Sequence, residues 1–411
     1  MVRPATAAQA GGSKQHRSDG LIGHASGKSA TIQKIRPRRL PKLIAVTRPT
    51  GTPDAARPRH HLVTGGAGFV GSHLVDTLLA AGDRVTVLDD FSTGREANLA
   101  EALAAYGNGG RLRIVRAAVE DEATTRLLVH EADTVFHLAA AVGVRLILER
   151  PVHTIRTIIR GTEVVLEQAH TFGRPVLLTS TSEVYGKGSK VPFSEDDDIV
   201  MGPTAHARWC YAYAKAVDEF LALAYHKQHN LPVTVVRLFN TVGPRQLGRY
   251  GMVVPRFVAW AMANEPLQVY GDGDVTRCFC HVLDVAHALA KLMQTGAGIG
   301  AVHNLGSDEE VSIHALAERV IQTLGSGSPI EHIPYEQAYG QPFDDLPRRV
   351  PDLTRIKAAI GFAPTHDLDA IIRSVATTCP PPSGGRGNLP HSSGRCDDRA
   401  AAATTRPLLA T

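Results

Sequence analysis

The sequence lacks several features that would assign it to common classes of protein. No apolar run reaches the roughly 18 residues that a membrane-spanning helix needs, so we expect no membrane partner. The five cysteines form no CxxC pair, and no histidine lies at zinc-site spacing from them. We therefore predict reduced thiols in a cytoplasmic protein without a metal centre, with Cys278 and Cys280 alternating along one strand.

Acidic residues are scarce in the first part of the chain. Residues 1–59 contain twelve Lys and Arg but only two acidic residues, Asp19 and Asp54. This segment carries a net charge of +10 while the whole chain carries +4, so the remaining residues carry −6. Because the basic character belongs to a terminal segment, we do not expect the body of the protein to bind nucleic acid.

Sustained hydrophobic periodicity is absent at both ends of the chain. Residues 1–59 and 379–411 are rich in Ala, Gly, Pro, Ser and Arg, and they are predicted to be disordered tails. An organellar transit peptide is an alternative for the first tail, although its Gly and Pro content opposes an amphipathic helix. Residues 60–378 are therefore expected to form the folded part.

Between these tails, short apolar stretches alternate with helix-length segments. The predicted strands are 61–64, 84–88, 112–115, 134–138, 176–179 and 233–238. The predicted helices are 69–80, 152–171 and 207–229. This alternation predicts an α/β protein with a doubly wound parallel sheet and helices on both of its faces.

The segment HLVTGGAGFVGSHL has the pattern of a strand, a glycine turn and a helix. Gly65 and Gly68 permit a tight turn that approaches a pyrophosphate closely, at the positive end of the helix dipole. Gly71 is expected to let the helix lie close to the sheet. The next predicted strand leads to Asp89, whose carboxylate can bind ribose hydroxyls and disfavours a 2′-phosphate, so the pattern predicts NAD rather than NADP.

Tyr211 and Lys215 occur four residues apart near the start of a predicted helix, so both lie on one face. A phenol with a pKa near ~10 is a poor base at neutral pH. A nearby ammonium group, together with the positive nicotinamide, stabilises the phenolate and lowers that pKa. Tyr211 is therefore the candidate base that takes a proton from a substrate hydroxyl while hydride leaves for NAD⁺.

These residues together resemble the extended short-chain dehydrogenase/reductase family, in its branch of nucleotide-sugar epimerases, dehydratases and decarboxylases. The resemblance is carried by TGGAGFVGSHL, HLAA (137–140), TSEVYG (181–186), YAYAK (211–215), RLFNTVGPR (237–245), VYGDG (269–273), TRCF (276–279) and RRVPDL (348–353). It implies a Rossmann core over 60–239, with segments from 240–375 mainly forming a smaller, interleaved nucleotide-sugar domain. It also implies a homodimer formed through the helices 152–171 and 207–229, and a UDP-sugar is the favoured substrate.

The resemblance implies three groups of site residues. The catalytic group is Thr181, Ser182, Glu183, Tyr211 and Lys215. The cofactor group is Gly65, Gly68, Phe69, Val70, Asp89, Asp90, Val119, Leu138, Ala139 and Ala140, together with Tyr211 and Lys215. The substrate group is Asn240, Arg245, Val254, Tyr270, Arg277 and Arg349.

Two positions depart from the family pattern. Ile158 stands three residues before Gly161, where the family usually has Asn, and we expect this change to impair turnover. Ala118 and Val119 replace an acidic residue that usually contacts adenine, so adenine recognition is expected to weaken or to move.

The sequence leaves more than one reaction open. Thr181-Ser182-Glu183 resembles UDP-glucuronate decarboxylases and some GDP-mannose dehydratases, whereas HLAAAVGVR (137–145) resembles 4-epimerases. Our first prediction is a UDP-glucuronate decarboxylase that forms UDP-xylose. The alternatives are a UDP-sugar 4-epimerase (UDP-glucose or UDP-glucuronate type), an NDP-sugar 4,6-dehydratase and, in a different class, a non-catalytic NAD-sensing protein of the same fold.

Overall fold

Alternating strands and helices account for most of the chain that this computed structural model describes, namely residues 57–140, 150–248, 252–334, 337 and 348–378. Most of the first predicted tail, all of the second with Cys379 and Cys396, and positions 141–145 of the HLAAAVGVR stretch lie outside these ranges. No helix within the described ranges is long and apolar enough to cross a membrane.

The strands are short and rich in branched apolar residues. They are His60–Thr64 (β1), Arg84–Asp89 (β2), Leu112–Arg116 (β3), Thr134–His137 (β4), Val176–Thr181 (β5), Val233–Leu238 (β6), Thr241–Val242 (β7), Leu267–Tyr270 (β8), Thr276–Cys278 (β9), Cys280–His281 (β10), Val302–Leu305 (β11), Glu310–Ser312 (β12) and Ile330–Ile333 (β13).

The helices fill most of the sequence between the strands. They are Phe69–Ala80 (α1), Ala100–Tyr106 (α2), Glu122–Glu131 (α3), Pro151–Phe172 (α4), Cys210–His229 (α5), Val253–Met262 (α6), Val282–Thr295 (α7), Ile313–Leu324 (α8), Thr354–Ile360 (α9) and Leu368–Thr378 (α10).

Seven strands form one parallel sheet in the order β3, β2, β1, β4, β5, β6, β11. Its two faces are covered by separate apolar cores, one packed against α1 and α7 and the other against α3, α4 and α5. The predicted α/β fold class is therefore confirmed. The strand order reverses at β1 and β4, which is where parallel sheets of this kind bind ligands.

The later segments build a third apolar core away from the main sheet. Helices α6, α8 and α10 pack together there, and the pair β8 and β13 lies beside them. The sequence resemblance predicts a smaller nucleotide-sugar domain in this part of the chain. That assignment stays a prediction.

The predicted bounds of the elements agree with the structure to within a few residues. Helix α1 occupies the predicted range, whereas α5 begins at Cys210, after a 3₁₀ turn over Ala207–Trp209. The single strand predicted through Cys278 and Cys280 is wrong, because the chain changes sheet between them: β9 pairs with β12, and β10 pairs with β7. Both thiols are free and buried.

A buried ion pair joins α5 to the main sheet. Arg237 on β6 donates from Nε to Oε1 of Glu219 at 3.0 Å and from Nη2 to Oε2 at 2.7 Å. Ser180 at the end of β5 donates to the same carboxylate at 2.5 Å. The Arg237 and Glu219 side chains are each about 5% exposed, so water solvates neither charge. Each charge is therefore neutralised by the other within the protein interior.

We predict that Glu219→Gln lowers the free energy of unfolding by about 3–5 kcal/mol, because Arg237 would remain buried without a counter-ion. Glu131→Gln is the matched control, since the Arg113–Glu131 pair is largely exposed at 52% and 35%. That change should cost less than about 1 kcal/mol in the same denaturant titration. Equal losses in the two variants would contradict the role given to the buried pair.

Candidate active site

One cleft of about 540 Å³ lies at the carboxyl ends of β1, β2, β4, β5 and β6. Its volume is in the range of small-molecule sites, which is about 300–1,000 Å³. Every cofactor, catalytic and substrate residue that the sequence nominated contributes to its lining. Their individual roles stay predictions. The contacts of each residue show which role its position would allow.

The glycine turn between β1 and α1 forms one wall of the cleft. Gly65 has a φ of +69°, and a Cβ there would lie 2.8 Å from the backbone nitrogen of Ala139. A Cβ on Gly71 would lie 2.2 Å from the Gly65 carbonyl oxygen, so this glycine permits the turn itself to close. No side chain caps the first turn of α1, which begins after Gly68. Backbone N–H groups at the helix N-terminus therefore suit a pyrophosphate.

Asp89 terminates β2 at the rim of the same wall. Its Oδ2 accepts a hydrogen bond from the Ala67 backbone N–H at 2.9 Å, and its Oδ1 accepts one from the Phe91 N–H at 2.8 Å. Burial raises the pKa of Asp89, and these two hydrogen bonds oppose the rise. Neighbouring Asp90 is exposed. A carboxylate fixed in this position disfavours a second anionic group on the ribose.

Tyr211 lies in the cleft at the start of α5 and is only 7% exposed. Burial raises the pKa of its phenol, the Glu183 and Asp218 carboxylates raise that pKa further, and a hydrogen bond with the Thr181 side chain opposes them. Tyr211 is therefore a neutral phenol in the protein alone. A positive charge brought into the cleft would lower this pKa.

Lys215 lies one turn further along α5 and is also buried. The sequence predicted that its ammonium group, together with the nicotinamide ring, would lower the pKa of Tyr211, and this stays a prediction. In the protein alone, burial and the Glu183 and Asp218 carboxylates raise that pKa. Lys215 Nζ donates to Oδ2 of Asp218 at 3.2 Å, so this carboxylate offsets the ammonium charge, a contact that the motif did not indicate.

Ile158, the residue found in place of the family's asparagine, is 1% exposed. It forms a small apolar cluster with Tyr211 and Ala214 on α5, and Ala140 packs against the edge of that cluster. An isoleucine here cannot hydrogen-bond a ligand or backbone group. Instead it contributes to the burial that keeps the phenol of Tyr211 protonated.

The stretch that follows β5 turns sharply as it enters the cleft. Thr181 Oγ1 accepts a hydrogen bond from the Glu183 backbone N–H at 3.2 Å, which begins a 3₁₀ turn over Ser182–Tyr185. Ser182 is 3% exposed, whereas Glu183 is only partly buried. The turn thus brings a hydroxyl and a carboxylate to the same wall as Tyr211.

The predicted substrate residues lie on the opposite wall, and several also have structural contacts. Asn240 donates to the Cys278 carbonyl oxygen at 2.9 Å, and Arg277 donates to the Thr276 carbonyl oxygen at 2.7 Å. Arg245 has a φ of +69° and forms an ion pair with Asp76 of α1 at 2.8 Å. The three arginines among the predicted substrate residues thus all line the cleft. The third is Arg349, which is 7% exposed.

Arg256 also lines the cleft, and sequence reasoning missed it. Its guanidinium group lies 4.7 Å from the ring centroid of Trp260 and 5.0 Å from that of Tyr270. It also donates to the Tyr270 hydroxyl at 2.5 Å. No motif covers this position, but the spacing of Arg256 and Trp260 along α6 places both on one face and could have indicated the contact.

The sequence of the chain agrees with this geometry. Residues 62–375 match the family described as GDP-mannose 4,6 dehydratase. The chain belongs to this family. It is accordingly an extended short-chain dehydrogenase/reductase, as the sequence resemblance predicted.

Curated relatives of this family member include two decarboxylases. The chain is 41% identical to UDP-N-acetyl-alpha-D-glucosaminuronate decarboxylase of Bacillus cytotoxicus over 304 residues, which is 74% of this chain and 92% of that protein. It is 39% identical to UDP-glucuronic acid decarboxylase 4 of Arabidopsis thaliana over 303 residues, which is 74% of this chain. The match spans 64% of the plant protein, which is less than two thirds of its length.

Similar solved structures in the family include two epimerases. UDP-glucose 4-epimerase of Thermotoga maritima, solved with UDP-glucose, superimposes with a TM-score of 0.69 at 28% identity, covering 78% of this chain and 98% of that one. UDP-glucuronic acid 4-epimerase of Bacillus cereus, solved with UDP-glucuronic acid and NAD, gives 0.68 at 26% identity, with coverage of 78% and 98%.

We predict that NAD⁺ binds more tightly than NADP⁺ by about tenfold or more, because Asp89 would repel a 2′-phosphate. Titration calorimetry with each dinucleotide measures the ratio. Asp89→Asn should reduce the preference, whereas Asp83→Asn, at the opposite end of β2, should leave it unchanged. Equal affinities in the unaltered protein would contradict the prediction.

Proposed function

We propose that this protein is an NAD-dependent decarboxylase of a UDP-hexuronate, with UDP-glucuronate as substrate and UDP-xylose as product. One observation carries the proposal: the turn after β5 brings Ser182 and Glu183 into the cleft beside Thr181 and Tyr211. A reaction confined to C4 of the sugar, such as epimerisation, does not need the Glu183 carboxylate. The decarboxylase relatives support the same reading.

The proposed cofactor fits the residues that are present. Because a Cβ at Gly65 or Gly71 would meet backbone atoms, these glycines allow the tight turn that a pyrophosphate would approach, and Asp89 on the same wall would contact the ribose. When bound, NAD⁺ would accept hydride from C4 of the sugar and later return it. Its positive nicotinamide ring would also favour the phenolate of Tyr211.

Tyr211 and Thr181 would carry the oxidation at C4. The Thr181 hydroxyl already hydrogen-bonds Tyr211, so a substrate O4 between them would meet both groups. Tyr211 would take the O4 proton as the C4–H bond breaks and the C4 carbonyl forms. Lys215, one helical turn after Tyr211 on α5, would stabilise the phenolate before Tyr211 takes the O4 proton.

Glu183 and Ser182 would manage the next step. Oxidation at C4 places the C6 carboxylate β to a ketone, so the C5–C6 bond can break with loss of CO₂. The electron pair of that bond passes to an enolate of the C4 carbonyl. Glu183 or Ser182 would then supply the proton that C5 needs, after which C4 is reduced and Tyr211 returns its proton to O4.

A UDP-sugar 4-epimerase is the second candidate. The two solved relatives with UDP-sugars support it, since both are 4-epimerases. An epimerase has to let the 4-keto sugar rotate before hydride returns, and Glu183 would then have no proton to transfer. A 4,6-dehydratase ranks third, and a non-catalytic protein of the same fold ranks fourth.

Product masses separate these reactions in one experiment. The purified protein would be incubated with UDP-glucuronate, UDP-N-acetylglucosaminuronate, UDP-glucose, GDP-mannose and dTDP-glucose. Loss of CO₂ from a uronate supports the proposal, loss of water indicates a dehydratase, and a new isomer of unchanged mass indicates an epimerase. Bound NAD without turnover of any of these sugars would favour the non-catalytic alternative.

We also propose a homodimer in the cytoplasm. Helices α4 and α5 pack against each other and together expose Val152, Ile155, Val217 and Phe220, with exposures from 36% to 71%. An apolar face spread over two adjacent helices suits a second copy of the same pair. The free thiols of Cys210, Cys278 and Cys280 support a reducing compartment.

We predict that Phe220→Asp converts the dimer to a monomer, because the largest exposed side chain on this face would become charged. Analytical ultracentrifugation measures the mass. Leu103→Asp is the control, since Leu103 is 46% exposed on α2, away from α4 and α5. A Phe220→Asp protein that remains dimeric would place the interface elsewhere.

We predict that Glu183→Gln lowers the steady-state rate of CO₂ release by roughly 100- to 10,000-fold while oxidation at C4 continues, because the variant keeps its size but loses the carboxylate that protonates C5 after CO₂ has left. Rapid chemical quench should show the decarboxylated 4-keto sugar accumulating. Tyr211→Phe is the contrasting variant and should form no 4-keto sugar. In an epimerase Glu183 would be peripheral, so near-normal turnover by the glutamine variant would support the second candidate instead.

A further inference from the structure

A line of buried polar groups leads from the cleft wall to Lys215. The Ala139 backbone N–H donates to Thr64 Oγ1 at 3.2 Å, and this hydroxyl lies 2.7 Å from Nδ1 of His137. Nε2 of His137 lies 3.1 Å from Thr162 Oγ1 on α4. The Thr162 hydroxyl lies beside Asp218, in a contact looser than a regular hydrogen bond, since Asp218 Oδ1 has no partner of that geometry within the described ranges.

His137 adds no charge to this line. Burial, with the Lys215 charge adding to it, lowers the pKa of His137 to about 3, so the ring is neutral and has one donor and one acceptor nitrogen. One ring nitrogen contacts Thr64 and the other contacts Thr162. The Thr162 hydroxyl continues the line to Asp218, whose carboxylate can only accept hydrogen bonds when it is charged.

Asp218 is therefore the acceptor at which the line ends. On its other side it accepts the hydrogen bond from Lys215 Nζ at 3.2 Å, and the side chains of Lys215 and Asp218 are 3% and 1% exposed. Burial raises the pKa of Asp218, while the Lys215 charge and Thr162 oppose the rise. One hydroxyl and one ammonium group beside this buried carboxylate thus stabilise its charged form against the effect of burial.

Two other carboxylates lie near Tyr211 and Asp218, and their contacts differ from those of Asp218. Glu183 approaches Tyr211 from the turn after β5. Glu219, next to Asp218 on α5, is engaged by Arg237 and Ser180 on the sheet. Asp218 is thus the buried carboxylate that contacts Lys215 directly.

We propose that Asp218 is a positioning residue whose carboxylate holds the Lys215 ammonium group in place and offsets its charge, so that Tyr211 stays a neutral phenol until positive charge enters the cleft. The inference rests on the proposed function, because it gives Tyr211 the part of the base. It assigns Asp218 a role in setting the pH range of the enzyme. It gives Asp218 no contact with the sugar.

The test is the pH dependence of kcat/KM for Asp218→Asn, which keeps the size of the side chain and removes its charge. Tyr211 must lose its proton to act, so activity rises with pH through the pKa of Tyr211. Removing the negative charge lowers that pKa, and the acid limb should move to lower pH by about one unit.

Asp284→Asn is the matched control. Asp284 is a buried carboxylate on α7 that accepts hydrogen bonds from Thr365 and contacts His366, and it does not line the cleft. This variant should leave the acid limb in place even if its melting temperature falls. An Asp218→Asn enzyme that melts earlier but keeps the wild-type acid limb would show a purely structural role and overturn the inference.

Failure of the proposed function would be recognised separately. If the wild-type protein turns over no nucleotide sugar, ultraviolet difference titration against Tyr211→Phe replaces the rate measurement. In that titration the Tyr211 phenolate should form at lower pH in Asp218→Asn than in the protein with Asp218. An unchanged titration would overturn the role of Asp218 whatever the reaction is.

Discussion

The active-site geometry depends on the buried ion pair between Glu219 and Arg237. This pair, with Ser180, fixes α5, which carries Tyr211 and Lys215, to strands β5 and β6. Thr181 ends β5, and Asn240 follows the end of β6. Arg237 also stacks on the ring of Tyr185, 4.7 Å from its centroid, in the turn that presents Glu183. One charge pair thus sets the relative positions of groups that come from three separate elements.

Burial determines the chemistry of the groups that this pair positions. Tyr211 is surrounded by Ile158 and Ala214 and faces two carboxylates, so its charged form is disfavoured until a cation arrives. The same burial keeps His137 neutral, so it hydrogen-bonds Thr64 and Thr162 without adding charge. In the proposed reaction, binding of a cationic ring in this cleft would therefore create the base.

Much of this arrangement could be predicted from the sequence. Glycine spacing, hydrophobic alternation and the tyrosine–lysine spacing are local signals, and they located α1, the main strands, the glycine turn and the pair Tyr211 and Lys215. The other cleft residues were implied by the family resemblance. Asp218 and Arg256 were missed because no family motif covers them, although each lies within four residues of a partner on its own helix. The break between Cys278 and Cys280 was missed because alternation describes a strand but not the sheet that it joins.

The two walls of the cleft come from distant parts of the chain, with Gly65 on one side and Arg349 on the other. A ligand that contacts both walls bridges residues that lie nearly 300 positions apart in the chain. It can therefore bind only when the region between them is folded. By mass action such a ligand at 100 times its Kd would add about 2.7 kcal/mol to the folded state. An excess of such a ligand would therefore also protect the protein from proteolysis, which acts on its unfolded form.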